Sequence, residues 1–175
     1  VDIEEARSRF LVALVEKYAA KDCRILEVGC REGNNLVSLW QAGFTNLNGL
    51  EGNTGKVAAF KKRHAGIAER VEVTTGPVEE LVRGLEDAAF DLVFTVGFLF
   101  DRRGDNAWLF PQLARLASHR LISIEDERRG SFKGVYEGLG LKEVEAIDTS
   151  AMKELDSVFF ARVFQKVNSS WETTV

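Results

Sequence analysis

The sequence predicts a doubly wound α/β fold, with seven strands in a mostly parallel sheet, helices on both faces and an antiparallel last strand. Three observations predict it. Short runs rich in Val, Ile, Leu and Phe alternate five times with helical patterns. A glycine turn follows the first run, and the chain ends on two strand patterns with no crossover helix between them. A length of 175 residues suits one domain, read here as 1–167, with a tail over 168–175.

Each element has a local reason. Ile3, Ala6, Phe10, Leu11, Leu14, Val15 and Tyr18 recur at intervals of three and four, which predicts an amphipathic helix over about 3–20. Residues 23–28 form a strand that runs into Gly29 and Gly33, and a helix follows over 34–41, closed by Gly43. Residues 47–51 are the second strand, after which Asn53 or Thr54 can cap a helix to about Arg63. The third strand, 71–75, stops at Gly76-Pro77, since proline cannot donate to a central ladder, and a helix follows over 78–85. Residues 91–96 are apolar on both faces, as a strand covered by helices on both sides should be. Then come a helix over 106–118, a strand over 120–125 and a helix over 131–139. The final strands, 141–147 and 157–166, are expected to pair antiparallel.

Composition narrows the function classes. Hydrophobic residues are 45% and charged residues 29% of the chain, enough for a sizeable core and unlike a disordered sequence. With 23 Lys plus Arg against 27 Asp plus Glu, the net charge of -4 supplies no bulk basic field for nucleic-acid phosphates. Cys23 and Cys30 form neither a disulfide framework nor a metal-ligand pattern, which suits a reducing compartment. Charges at Asp2, Glu4, Glu5, Arg7 and Arg9 interrupt the start, unlike a secretion signal, and the longest apolar run, 92–100, is about half of a membrane helix. A cytoplasmic chain without a membrane segment is the expectation. The chain starts at Val1 rather than Met, which implies a few residues ahead of it.

Doubly wound sheets bind ligands outside the carboxyl ends of their strands, at the switch point. That places a site on 29–34, 51–53, 76–79, 97–105 and 125–129. Residues 25–36 read as a strand entering a glycine turn that opens a helix, where free N–H groups face a ligand. Alone, the turn is a weak nucleotide signal. Glu51, 22 residues after Gly29 at the end of the next strand, strengthens it, because a carboxylate there can accept both hydroxyls of a ribose.

On these motifs the chain resembles the class I S-adenosylmethionine-dependent methyltransferase family. The resemblance runs over about 23–166, through Ile-Leu-Glu-Val-Gly-Cys at 25–30, Asn-Gly-Leu-Glu-Gly-Asn at 48–53, Thr-Thr-Gly-Pro-Val-Glu-Glu-Leu at 74–81 and Phe-Asp-Leu-Val-Phe-Thr at 90–95. It implies a Rossmann-like fold, S-adenosyl-L-methionine as cofactor and O- or N-methylation of an acceptor. It also implies that Glu27, Gly29, Cys30, Arg31, Gly33 and Asn34 wrap the methionine half of the cofactor. Glu51, with Gly52 and Asn53, would take the ribose, Pro77 and Val78 would edge the adenine, and Thr95, Val96 and Gly97 would face the sulfonium.

Two departures from the family pattern stand out. Arg31 replaces the usual middle glycine of the first turn, and its guanidinium can pair with the cofactor carboxylate. Pro77 stands where an aspartate toward the adenine amino group is common. The acceptor is expected to be a small molecule, since the chain is acidic and has no added recognition domain. Methyl transfer rests mainly on orientation, but a hydroxyl or ammonium acceptor also needs a base. Asp101 is the first candidate, ahead of Asp105, Glu125, Asp126 and Glu127, whose spacing does not specify a metal. His64 and His119 fall at the opposite edge of the sheet, whereas Arg102, Arg103, Arg128 and Arg129 rim the site and can grip an acidic or sugar-type acceptor. A non-catalytic partner subunit of the same fold and an NAD-type binding domain are the alternatives.

Overall fold

Strand β1 (Ile25–Val28) is buried along its whole length because it lies in the middle of the sheet. The structure is a computed structural model that describes residues 3–100, 107–155 and 158–167. β1 pairs in parallel with β2 (Leu47–Glu51) on one side and β4 (Phe90–Val96) on the other. Beyond β2 lies β3 (Glu72–Thr75), and beyond β4 lies β5 (Ala117–Asp126), again parallel. The last strand, β7 (Phe159–Lys166), inserts antiparallel between β5 and β6 (Leu141–Asp148). The order β3-β2-β1-β4-β5-β7-β6 puts the switch point between β1 and β4, where the chain reverses its direction of travel across the sheet.

Successive strand side chains point to opposite faces, so the central strands feed two cores. Ile25, Leu92, Phe94 and Ile122 join Leu11 and Val15 of α1 (Ile3–Tyr18), Leu36 and Leu39 of α2 (Asn34–Gln41) and Phe60 of α3 (Thr54–Arg63). Leu26, Val28, Val93 and Leu121 join Val78 and Val82 of α5 (Val78–Gly84), Leu113 and Leu116 of α6 (Leu109–Leu116) and Tyr136 of α7 (Lys133–Glu137). Both faces are therefore covered, as the apolar residues on both faces of β4 require. The far edge is tied by charge instead: Arg162 of β7 donates to Glu127 at 2.7 Å and to Glu143 at 2.6 Å.

Most boundaries follow the sequence expectation. Asn53 is the cap of α3, accepting the Lys56 N–H on its side chain at 3.2 Å. The helix expected over 106–118 is described only as Leu109–Leu116, and Ala117 and Ser118 belong to β5. Ala117 is extended and stands opposite Phe90, so pairing in the sheet overrides a good helix former. Likewise the helix expected over 131–139 shrinks to Lys133–Glu137. A one-turn helix, α4 (Ala65–Ala68), and two 3-10 turns, Thr149–Ala151 and Lys153–Leu155, have no counterpart in the expectation. The second of those turns docks on α1, where Arg7 Nε donates to the Leu155 carbonyl at 3.0 Å. The tail over 168–175 lies outside the described residues.

Candidate functional site

The turn after β1 is built from left-handed backbone. Gly29, Arg31 and Gly33 have φ of 80°, 51° and 73°. The first is held by the neighbouring strand, since the N–H groups of Gly29 and Cys30 both donate to the Leu50 carbonyl, at 2.8 and 3.0 Å. A side chain would not fit at either glycine. A Cβ on Gly29 would lie 2.3 Å from the Phe98 ring, and one on Gly33 would lie 2.6 Å from the Phe60 ring. Arg31, which pays the strain of a side chain in this region, is fixed by Glu51: the Arg31 N–H donates to Oε2 at 2.8 Å and the Asn53 N–H to Oε1 at 2.8 Å.

A cavity of about 310 Å³ opens outside the carboxyl ends of β1 and β4. Of the expected residues, Glu27, Gly29, Cys30, Arg31, Asn34, Val96 and Gly97 line it. Glu4 and Arg7 of α1, Glu32, Asn35 and Phe159 complete the wall. Glu27 is the chemical centre: Oε1 accepts from Asn35 at 2.7 Å, whereas Oε2 is buried without a partner. Burial pushes its carboxyl up to about 8. The Arg31 guanidinium spans the mouth, with Nη2 donating to the Gly97 carbonyl at 3.1 Å. Burial also pushes the Cys30 thiol up, so that side chain packs rather than reacts.

The other expected residues sit differently. Gly33, Glu51, Gly52, Asn53, Pro77, Val78 and Thr95 are outside this cavity wall. Gly33 serves the packing of α3, and Glu51 the turn. Asp101, the first candidate base, and Asp105, Arg102 and Arg103 with it, lie outside the described residues. Glu125 is fully buried and accepts the N–H groups of Phe98 and Leu99, at 3.1 and 2.9 Å, and its burial pushes the carboxyl up to about 7. Asp126 pairs with Arg128 at 2.6 Å, and that guanidinium holds its carboxyl below the usual range. Glu127 pairs with Arg162, and Arg129 lies over the Phe100 ring at 4.5 Å. His64 ends α3, and His119 lies 3.8 Å from Asp91 near the start of β5, so neither meets the cavity.

The contributions of Glu4, Arg7 and Phe159 carried no local signal, because they arrive from opposite ends of the chain. Asn35 carried one: it sits in the first turn of a helix leaving a glycine loop, within reach of the carboxylate in β1. Among the described residues, no group of three or more His, Cys, Asp or Glu is placed to hold a metal ion. No described helix is long and apolar enough to cross a membrane.

Residues 26–117, just over half of the chain, match the family model described as Methyltransferase domain. The chain belongs to that family. No curated protein matches its sequence. Among solved structures, magnesium protoporphyrin IX methyltransferase from Synechocystis, with bound SAM, superposes on this methyltransferase domain with a TM-score of 0.71 at 16% identity, covering 94% of this chain and 80% of that one. A TehB-like SAM-dependent methyltransferase from Corynebacterium glutamicum gives 0.68 at 19% identity over 89% and 86%. The cyclase SpnF gives 0.71 at 16% identity over 93% and 81%. At these identities the likeness establishes the Rossmann-like methyltransferase fold alone.

The chain's own residues fit one half of S-adenosylmethionine directly. The unpartnered Glu27 oxygen suits an ammonium, and the Arg31 guanidinium suits a carboxylate, so together they match an amino-acid head group.

Proposed function

We propose that this methyltransferase-family chain binds S-adenosyl-L-methionine and transfers its methyl group to a small-molecule acceptor. The observation that carries the reading is the pairing, in one cavity at the switch point, of an unpartnered buried Glu27 oxygen with the Arg31 guanidinium. In this reading Glu27 accepts from the cofactor ammonium and Arg31 pairs with its carboxylate, while the backbone of Gly29, Cys30 and Asn34 packs along the methionine chain. Glu51, whose two oxygens keep further lone pairs beyond the bonds to Arg31 and Asn53, accepts the ribose hydroxyls, flanked by Gly52. The Val78 N–H, at the first position of α5 and so without an intrahelical partner, faces the adenine edge beside Pro77. Thr95, Val96 and Gly97 form the floor on the sulfonium side.

The cofactor, when bound, supplies a methyl group on a cationic sulfur. The protein's part is to hold an acceptor nucleophile in line with it and to exclude water, and orientation of this kind accounts for most of the rate. Where the acceptor must lose a proton, Asp101 is the proposed base, since Glu125, Asp126 and Glu127 are committed to other partners. The overall acidity of the chain supports a small acceptor over nucleic acid, and Arg102 and Arg103, which follow β4 in the sequence, are the proposed grip for an acidic or sugar-type acceptor. The cyclase SpnF has the same fold and is named for another reaction, which makes the transfer assay decisive.

Thermal-shift measurements with S-adenosylmethionine, S-adenosylhomocysteine and NAD test the binding half. The first two are expected to raise the melting temperature and NAD to leave it unchanged, since a ligand at about 100 times its Kd adds about 2.7 kcal/mol. Transfer of labelled methyl into the small-molecule fraction of an extract tests the rest. Binding without transfer points to the non-catalytic partner subunit.

A further inference from the structure

Phe98 follows Gly97 at the carboxyl end of β4, and its ring lies directly on Gly29. Both glycines line the cavity, but the ring does not. It packs instead against the cluster that contains Leu50 and Val78, the neighbours of Glu51 and Pro77. The ring thus stands at the join between the open cavity and the residues proposed to take the nucleoside. The cavity stops there. Its volume of about 310 Å³ lies at the lower end for a drug-sized ligand, and Glu51, Gly52, Asn53, Pro77 and Val78 are all outside its wall. A ligand whose head group meets Glu27 and whose ribose meets Glu51 runs along the turn that contains Gly29, the residue this ring covers.

We propose that Phe98 occupies the adenosyl half of the site in the ligand-free chain, and that adenosyl compounds bind by displacing its ring, so that Phe98 sets their affinity. This inference rests on the S-adenosylmethionine reading above. The moving part is the side chain. The backbone at Phe98 and Leu99 is clamped by the Glu125 carboxylate at 3.1 and 2.9 Å, so rotation of the half-buried ring, rather than loop opening, clears the space. The energetic consequence is direct: the apparent Kd is the intrinsic one divided by the fraction of molecules with the ring turned out. If about one molecule in ten is open, removing the ring tightens binding about tenfold.

Calorimetric titration of S-adenosylhomocysteine into wild type and Phe98→Ala tests the proposal, with Phe98→Leu as a milder change should the alanine variant fail to fold. The expected result is a Kd about tenfold lower for Phe98→Ala and an intermediate gain for Phe98→Leu. Phe98→Trp supplies a second readout, because its emission is expected to shift on titration as the ring changes surroundings. An unchanged or raised Kd on removing the ring means that Phe98 is a wall or a stacking platform, and overturns the proposal while the cofactor reading stands. Absence of binding by wild type and every variant overturns both. Binding that appears only when the ring is removed supports both.

Discussion

The Glu51 carboxylate holds the Arg31 N–H at 2.8 Å, so the end of β2 fixes the middle of the loop after β1. A second bond at 2.8 Å, from the Asn53 N–H, fixes the entry to α3. The residue expected to meet a ribose is thus also the brace that holds the loop after β1 in shape. Because Glu51 is buried, losing a charge-assisted bond there costs about 1.5–3 kcal/mol. Glu51→Ala is expected to lower the unfolding free energy by about 3 kcal/mol in urea titration and to weaken S-adenosylhomocysteine at least tenfold. Glu51→Gln, which keeps one acceptor oxygen, is expected to lose less of both.

Arg31 separates binding from folding. Its side chain makes one bond to the Gly97 carbonyl, and the remaining donors are available to the cavity it lines. Arg31→Ala is expected to leave urea stability within about 1 kcal/mol of wild type while raising the Kd for S-adenosylhomocysteine by a factor of about ten or more. Unchanged affinity in calorimetry removes Arg31 from the carboxylate role.

The buried Glu27 predicts a pH dependence with a definite sign. Its carboxyl in the folded chain is raised to about 8, from 4.5 as the ordinary value. Between those values the folded state holds a proton that the unfolded state has released, so stability is highest at the acid end and falls as pH rises. Above about 8 this contribution is flat. The slope is at most about 1.4 kcal/mol per pH unit for one group. Glu125, raised to about 7, adds to the slope at the lower end of the window. Denaturant titrations from pH 5 to 9 should show the decline, and Glu27→Gln should reduce it to the share that Glu125 contributes below about pH 7.

At Gly33 the argument concerns packing alone. An alanine there would place its Cβ 2.6 Å from the Phe60 ring, on backbone with φ of 73°. The left-handed conformation costs about 1–2 kcal/mol and the overlap about 1–3 kcal/mol more. Gly33→Ala is therefore expected to destabilise by about 3 kcal/mol. Co-substitution of Phe60→Leu should recover part of the loss, read as a shift in the denaturation midpoint.

The far edge of the sheet depends on one guanidinium. Arg162 is largely buried and bonds Glu127 and Glu143 together, so removing it leaves two carboxylates beside each other away from water. Arg162→Met is expected to cost about 3 kcal/mol at neutral pH. Urea titrations of wild type and variant at neutral pH check this.

Much of the fold was legible because it is written in short-range patterns. The strand patterns at 23–28, 47–51 and 91–96, each followed by turn residues, marked β1, β2 and β4. Asn53 announced the start of α3. Illegible were the pieces whose conformation is settled by a neighbour: Ala117 and Ser118, drawn out of the helix by pairing beside β4, and the 3-10 turn at Lys153–Leu155, which ends on Arg7. In the site, the positions of Gly29, Arg31 and Gly97 around one cavity followed from the strand-turn-helix order, and that of Glu27 from the family resemblance. The isolation of one Glu27 oxygen, and the commitment of Glu125, Asp126 and Glu127 to other partners, did not.

Periodicity, turn residues and the Gly29 to Glu51 spacing were enough to specify a doubly wound sheet and the edge of it that carries the cavity. These features act within one element or between adjacent ones, where the chain itself enforces proximity. Folding in three dimensions chose which carboxylates stay unpaired, set the Arg31 guanidinium on the carbonyl of Gly97, brought Arg7 and Phe159 to the cavity and laid the Phe98 ring on Gly29. Those contacts join residues far apart in the chain, 66 positions in the case of Arg31 and Gly97, and they exist only because the order of strands in the sheet brings β1, β4 and β7 to one end.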